Sequence, residues 1–111
     1  MPKKSAEPSQ ADLNAAAGGV ASVDRALSLL GTFTGATPVL TLTAIAIRVG
    51  LHKSTVLRLL ASLEHAGLVC RQPDGAWGLG GEVARLHQVW AASFSLPSVY
   101  RIIVSMKMVA P

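Results

Sequence analysis

Apolar positions recur at helical spacing in several stretches of the chain, and glycine or proline marks the intervals between them. Leu42, Ile45, Ala46 and Val49 fall at i, i+3, i+4 and i+7, and Val56, Leu59, Leu60 and Leu63 repeat the interval. Each set lies on one face of an α-helix. Thr41 stands where an N-cap hydroxyl can accept from a free N–H, and Gly50 where a left-handed C-cap forms most easily. The pattern predicts two short helices joined at Gly50-Leu51, with Leu51 plugging the angle between them, which is the layout of a helix-turn-helix.

Upstream, Val23, Leu27, Leu30 and Phe33 predict a helix forming the back wall of the core, with Ser22 a candidate cap and Asp24 near the positive end. Gly31, Gly35 and Pro38 break this pattern, and Val39 to Thr41 can supply a short strand. Downstream, Leu68 to Gln72 and Ala76 to Leu79 read as strands around a Pro73-Asp74-Gly75 turn, with Trp77 and Leu79 directed inward. Trp77 is expected to pack in the core rather than stack on a base. A hairpin directly after a helix-turn-helix is a wing. Beyond Gly80-Gly81, Val83, Leu86 and Trp90 form an apolar stripe on a further helix, and such a stripe outside a small core calls for a partner. Met1 to Gly19 carries almost no large apolar side chain and is expected to be a disordered tail. Val99, Ile102, Ile103 and Met106 keep helical spacing after Pro97, but the fold of residues 98–111 stays open.

The polar faces supply the chemistry. The segment His52-Lys53-Ser54-Thr55 sets two hydroxyls and a cation at a helix start, where free N–H groups and the positive dipole end favour phosphate. The face opposite the apolar stripe carries Lys53, Ser54, Leu57, Arg58, Ala61 and His65. Ten Lys and Arg against six Asp and Glu give a net charge of +4. Between Ala26 and Gln72 the bases are Arg48, Lys53, Arg58 and Arg71 and the acid is Glu64, an excess of three. Affinity for a polyanion follows from this balance, although many basic proteins never meet nucleic acid.

Other classes are disfavoured. The single Cys70 excludes an internal disulfide and is expected to be a small buried strand residue; with His52, His65 and His87 scattered, no metal cluster is expected. No apolar run approaches the roughly 18 residues of a membrane span, and Lys3-Lys4 is not followed by a signal-peptide core. The expected location is the cytoplasm. Asp24, Glu64, Asp74 and Glu82 stand singly, so no catalytic constellation is expected, and no cofactor is implied.

SVDRALSLL at Ser22 to Leu30, LTLTAIAIRVGLHKSTVLRLLASLEHAGLV at Leu40 to Val69 and PDGAWGLG at Pro73 to Gly80 together resemble the amino-terminal domain of the IclR family of bacterial transcription regulators. The match runs in uninterrupted order from about Val20 to Ser93, and several motifs in register are more specific than one. The resemblance implies a mainly α fold with a small β-hairpin, a winged helix-turn-helix followed by a linker helix. Residues 1–19 would be the tail, 20–80 the DNA-binding domain, and 81–111 the linker or dimerisation helix with the truncated start of an effector domain. It also implies that Val83, Leu86 and Trp90 pair subunits, and that the helix carrying Val23, Leu27, Leu30 and Phe33 adds to the contact. The family's effector domain lies beyond this chain, so no effector small molecule is expected.

Several residues depart from the family pattern. Ala44 and Ile47 replace the usual acidic or polar residues, Leu57 a polar or aromatic one, and His52 a frequent proline. These changes remove a capping-box acid and leave the recognition-helix start less firmly fixed. The expected function is a sequence-specific regulator of repressor type, binding a partly palindromic operator on double-stranded DNA as a homodimer. Ser54, Thr55 and Arg71 would contact phosphate, Lys53 and Arg58 would read base edges, and Gln72 would lie at the wing tip facing backbone or minor groove. The alternative is a module that does not bind DNA and forms mixed dimers with a longer relative, a reading that the apolar Ile47 and Leu57 also suit.

Overall fold

The computed structural model describes residues 9–13 and 15–94. In chain order its elements are α1 (Gln10–Leu13), α2 (Ala21–Leu30), β1 (Val39–Leu40), α3 (Leu42–Val49), α4 (Lys53–His65), β2 (Val69–Arg71), β3 (Trp77–Leu79) and α5 (Gly81–Ala92). Helix α4 packs against α2, α3 and β2 and so joins the helices to the sheet. Leu29, Ile45, Val56 and Leu60 have no exposed surface, and Val69 and Trp77 close the core from the sheet.

The pair α3 and α4 form as their spacing predicts. Ile45, Ala46 and Val49 are buried on one helix and Val56, Leu60 and Leu63 on the other, with Leu42, Leu51 and Leu59 packed at the margin. Thr41 Oγ1 accepts from the Ala44 N–H at 3.1 Å, which caps α3 without the missing acid. At its other end Gly50 adopts φ 71° and ψ 34°, and its N–H donates to Ala46 O at 2.9 Å. This left-handed residue turns the chain into α4.

The three strands form one antiparallel sheet in the order β1-β3-β2. Val39 and Leu40 pair with Gly78 and Trp77, while Val69, Cys70 and Arg71 pair with Leu79, Gly78 and Trp77. The Pro73-Asp74-Gly75 turn closes through Gly75 N–H to Gln72 O at 2.9 Å and Gln72 N–H to Ala76 O at 2.7 Å. A side chain at Gly80 would collide with the carbonyl oxygen of Gly67, so this close approach ties the end of the wing to the end of α4.

Several expectations are corrected. The back wall of the core is made by Leu29 with Ala26, Leu30 and Phe33, whereas Val23 and Leu27 are each more than half exposed. Both sets fit a helical period, and packing against α1, α3 and α4 decides between them. Ser22 is not the cap of α2; that position falls to Val20, which makes no side-chain capping bond. Cys70 is exposed because it points to the outer face of an edge strand, opposite the face on which Val69 is buried. Leu79 shares the inward face with Trp77 but lies at the strand end and is 44% exposed. Within the expected tail, Gln10–Leu13 form one helical turn against α2 and α3, with Ala11 buried and Ser9 Oγ accepting from the Asp12 N–H at 3.0 Å. Burying an alanine costs no side-chain entropy. Residues 1–8 and 95–111, including the segment after Pro97, lie outside the described residues.

Candidate nucleic-acid interface

Helix α4 buries Val56, Leu60 and Leu63, and this burial turns the opposite face outward. Lys53, Ser54 and Arg58 are exposed and Thr55 is half-buried. None of these side chains hydrogen-bonds to another described residue, so their donors point to solvent. His52 takes an extended N-cap conformation, φ −66° and ψ 148°, without a side-chain bond, leaving the first N–H groups of α4 unsatisfied by its imidazole. Unsatisfied donors beside Lys53 and two hydroxyls make this end attractive to a phosphate oxygen.

Two open grooves flank the helix start. One is lined by Thr43, Ile47, Lys53 and Thr55 together with Arg25, and the other by Ser22, Thr55, Arg58 and Ser62, again with Arg25. Lys53 and Thr55 thus share one groove and Thr55 and Arg58 the other, in the first half of α4. Arg71 and Gln72 line neither groove; they sit on the wing. Arg71 is exposed and its guanidinium carbon lies 5.5 Å from the centre of the Trp77 ring, a cation–π contact that orients it at the sheet edge. Gln72 is half-buried and donates from Nε2 to Cys70 Sγ at 3.4 Å, so part of its hydrogen-bonding capacity is engaged within the wing.

Arg25 is the residue that sequence reasoning missed. It belongs to α2, one position before the basic stretch Ala26–Gln72 begins, and the exposed Val23 and Leu27 stripe draws attention to a different face. Its Nε and Nη2 donate to the two oxygens of Asp12 at 2.9 and 3.3 Å. This bond, with a weaker one from Ser9, holds the Asp12 carboxyl below its ordinary pKa and raises that of Arg25. The only signal in the sequence is a lone base on the polar side of α2.

Two apolar residues share the solvent-facing side of the helix pair: Ile47 is 74% exposed and Leu57 41%. Further along, α5 buries none of its residues; Val83 is half-buried, and Leu86, Val89 and Trp90 are exposed in a stripe. Trp90 stacks edge-on to Phe94 with ring centres 5.0 Å apart and lies 5.7 Å from His87. Arg85 forms a two-bond pair with Glu82, at 2.8 and 2.6 Å, on the helix's polar side, which lowers the Glu82 pKa. Among the described residues no helix is long and apolar enough to cross a membrane.

Comparison with known proteins agrees with this geometry. The family model for the IclR helix-turn-helix domain matches residues 22–73. The crystal structure of a protein from Silicibacter sp. TM1040, assigned as an IclR transcriptional regulator, is 31% identical over 74% of this chain and 33% of its own, with a TM-score of 0.67. An IclR-family transcriptional regulator from Brucella abortus is 28% identical over 73% of this chain and 32% of its own, with a TM-score of 0.64. A Rhodococcus sp. protein assigned to the same family is 30% identical over 87% of this chain and 35% of its own, with a TM-score of 0.63. The chain therefore spans about a third of the length of these solved structures. No match is found among curated proteins. Residues 22–73 thus match the IclR helix-turn-helix domain, and the solved structures that the chain resembles are assigned as IclR-family transcriptional regulators.

Proposed function

We propose that this chain is a sequence-specific transcription regulator of repressor type that binds a partly palindromic operator as a homodimer. The observation that carries the reading is the free, cationic start of α4: Lys53, Ser54 and Arg58 are exposed while Val56, Leu60 and Leu63 on the opposite face are buried. A helix entering the major groove with such an end can place Arg58 and Lys53 against guanine O6 and N7. Ser54 and Thr55 then fix register on phosphates, and Arg71 with Gln72 touches the backbone or minor groove from the wing. The stripe of half-buried Val83 and exposed Leu86 and Trp90 on α5 supports pairing of two chains. A dimer of this kind sets two recognition helices about 34 Å apart, the repeat of successive major grooves.

Selection of bound sites from a random duplex pool tests the whole reading. The expected product is a motif of two inverted half-sites about one helical turn apart. A pool that shows no enrichment, together with duplex affinity insensitive to salt, would remove the assignment. The exposed Ile47 supports a second reading, a module that forms mixed dimers with a longer relative and does not touch DNA. That reading predicts co-purification with such a relative and no salt-sensitive duplex binding.

A further inference from the structure

The ion pair between Asp12 and Arg25 lies beside the start of the recognition helix. Arg25 and Thr55 are the two residues that line both flanking grooves, so the guanidinium stands next to the surface assigned to phosphate. Asp12 reaches it from α1, which is held in place by other means. Ala11 is buried in the core, and a Cβ placed on Gly50 would come within 3.2 Å of the Gln10 nitrogen, so α1 rests against the turn between α3 and α4. The side chains of Arg25 and Asp12 are 37% and 33% exposed. An ion pair this open to water adds little to fold stability.

A carboxylate presents two oxygens to a guanidinium much as a backbone phosphate does. We propose that Asp12 is an intramolecular substitute for a DNA phosphate: it neutralises Arg25 in the free protein and yields it to the duplex on binding. Helix α1 thereby acts as an autoinhibitory clasp that lowers affinity for DNA lacking an operator. The exchange swaps one acceptor for another on the same guanidinium, so it requires no rearrangement of α2 or α4. The inference rests on the reading that α4 engages DNA.

The test uses the full chain and a labelled duplex of arbitrary sequence, with affinity followed by fluorescence anisotropy across a salt series. Asp12→Asn should tighten binding about twofold to fivefold at low salt, the range set by an exposed ion pair. Asp12→Glu should restore the wild-type value. Arg25→Gln should weaken binding and flatten the salt slope by about 0.9, the share of one phosphate. Glu64→Gln, which removes an acid elsewhere, should give a smaller gain than Asp12→Asn, and in the Arg25→Gln background the gain from Asp12→Asn should fall to that of Glu64→Gln. A gain from Asp12→Asn that persists undiminished without Arg25 would overturn the clasp, because it would report net charge alone. Wild-type binding with no gain in Asp12→Asn overturns the clasp and leaves the DNA reading standing. A wild-type protein that binds no duplex overturns both.

Discussion

Gly50→Ala perturbs the joint on which the orientation of α4 depends. The residue sits at φ 71° and ψ 34°, where an L-residue with a Cβ is disfavoured by about 1–2 kcal/mol. Alanine also restricts the unfolded chain, which offsets about 0.4–1 kcal/mol of that loss. The new Cβ would stand 3.2 Å from the Gln10 nitrogen, so α1 must also shift by a few tenths of an ångström. A net destabilisation of about 1 kcal/mol follows, or about 4–8 °C in Tm for a domain of this size. Urea unfolding followed by far-ultraviolet circular dichroism measures it, with an unchanged slope marking a pure stability effect. Gly50→Asn serves as the comparison, since asparagine tolerates the left-handed region but carries the same Cβ. An alanine variant as stable as the wild type would refute the account. Equal losses for alanine and asparagine would move the cause from the backbone dihedral to the contact with Gln10.

Other expectations concern binding. Arg58→Ala should reduce operator affinity by roughly 1–3 kcal/mol and relax base preference at one position; unchanged affinity in a gel-shift titration would remove Arg58 from the base-reading set. Arg71→Ala should weaken all duplexes alike and flatten the salt slope by about one, and a loss that depends on sequence would contradict its phosphate role. Leu86→Glu places a charge in the middle of the α5 stripe, so sedimentation should show a shift from dimer to monomer with the helical circular dichroism signal retained. A variant that sediments as the wild type does would exclude this stripe from the subunit contact.

The legibility of the fold varied with how many spacings a segment allowed. Helices α3 and α4 were readable because Ile45, Ala46 and Val49, and Val56, Leu60 and Leu63, each define one face, with Thr41 and Gly50 fixing the ends. The wing was readable from Pro73-Asp74-Gly75 between two short alternating runs. For α2 the two candidate faces, Val23 with Leu27 and Ala26 with Leu29, both fit a helical period, and packing against α1, α3 and α4 selects the second. Cys70 looked like a buried strand residue because a three-residue strand carries too little alternation to tell its faces apart. Around the candidate interface, Lys53, Ser54 and Arg58 were predictable from the helix face opposite the apolar stripe. Arg25 was not, because it reaches that surface from another helix.

By itself the sequence determined the helix pair, its capped and left-handed ends, the hairpin and the chemistry of the exposed α4 face, since all of these depend on residues within a turn or two of one another. Tertiary structure decided which face of α2 turns inward, that Ala11 belongs to the core, and that Asp12 and Arg25, thirteen positions apart, meet beside the recognition helix. Those outcomes rest on burial shared between elements distant along the chain, and local periodicity does not encode which of two equivalent faces another helix will cover.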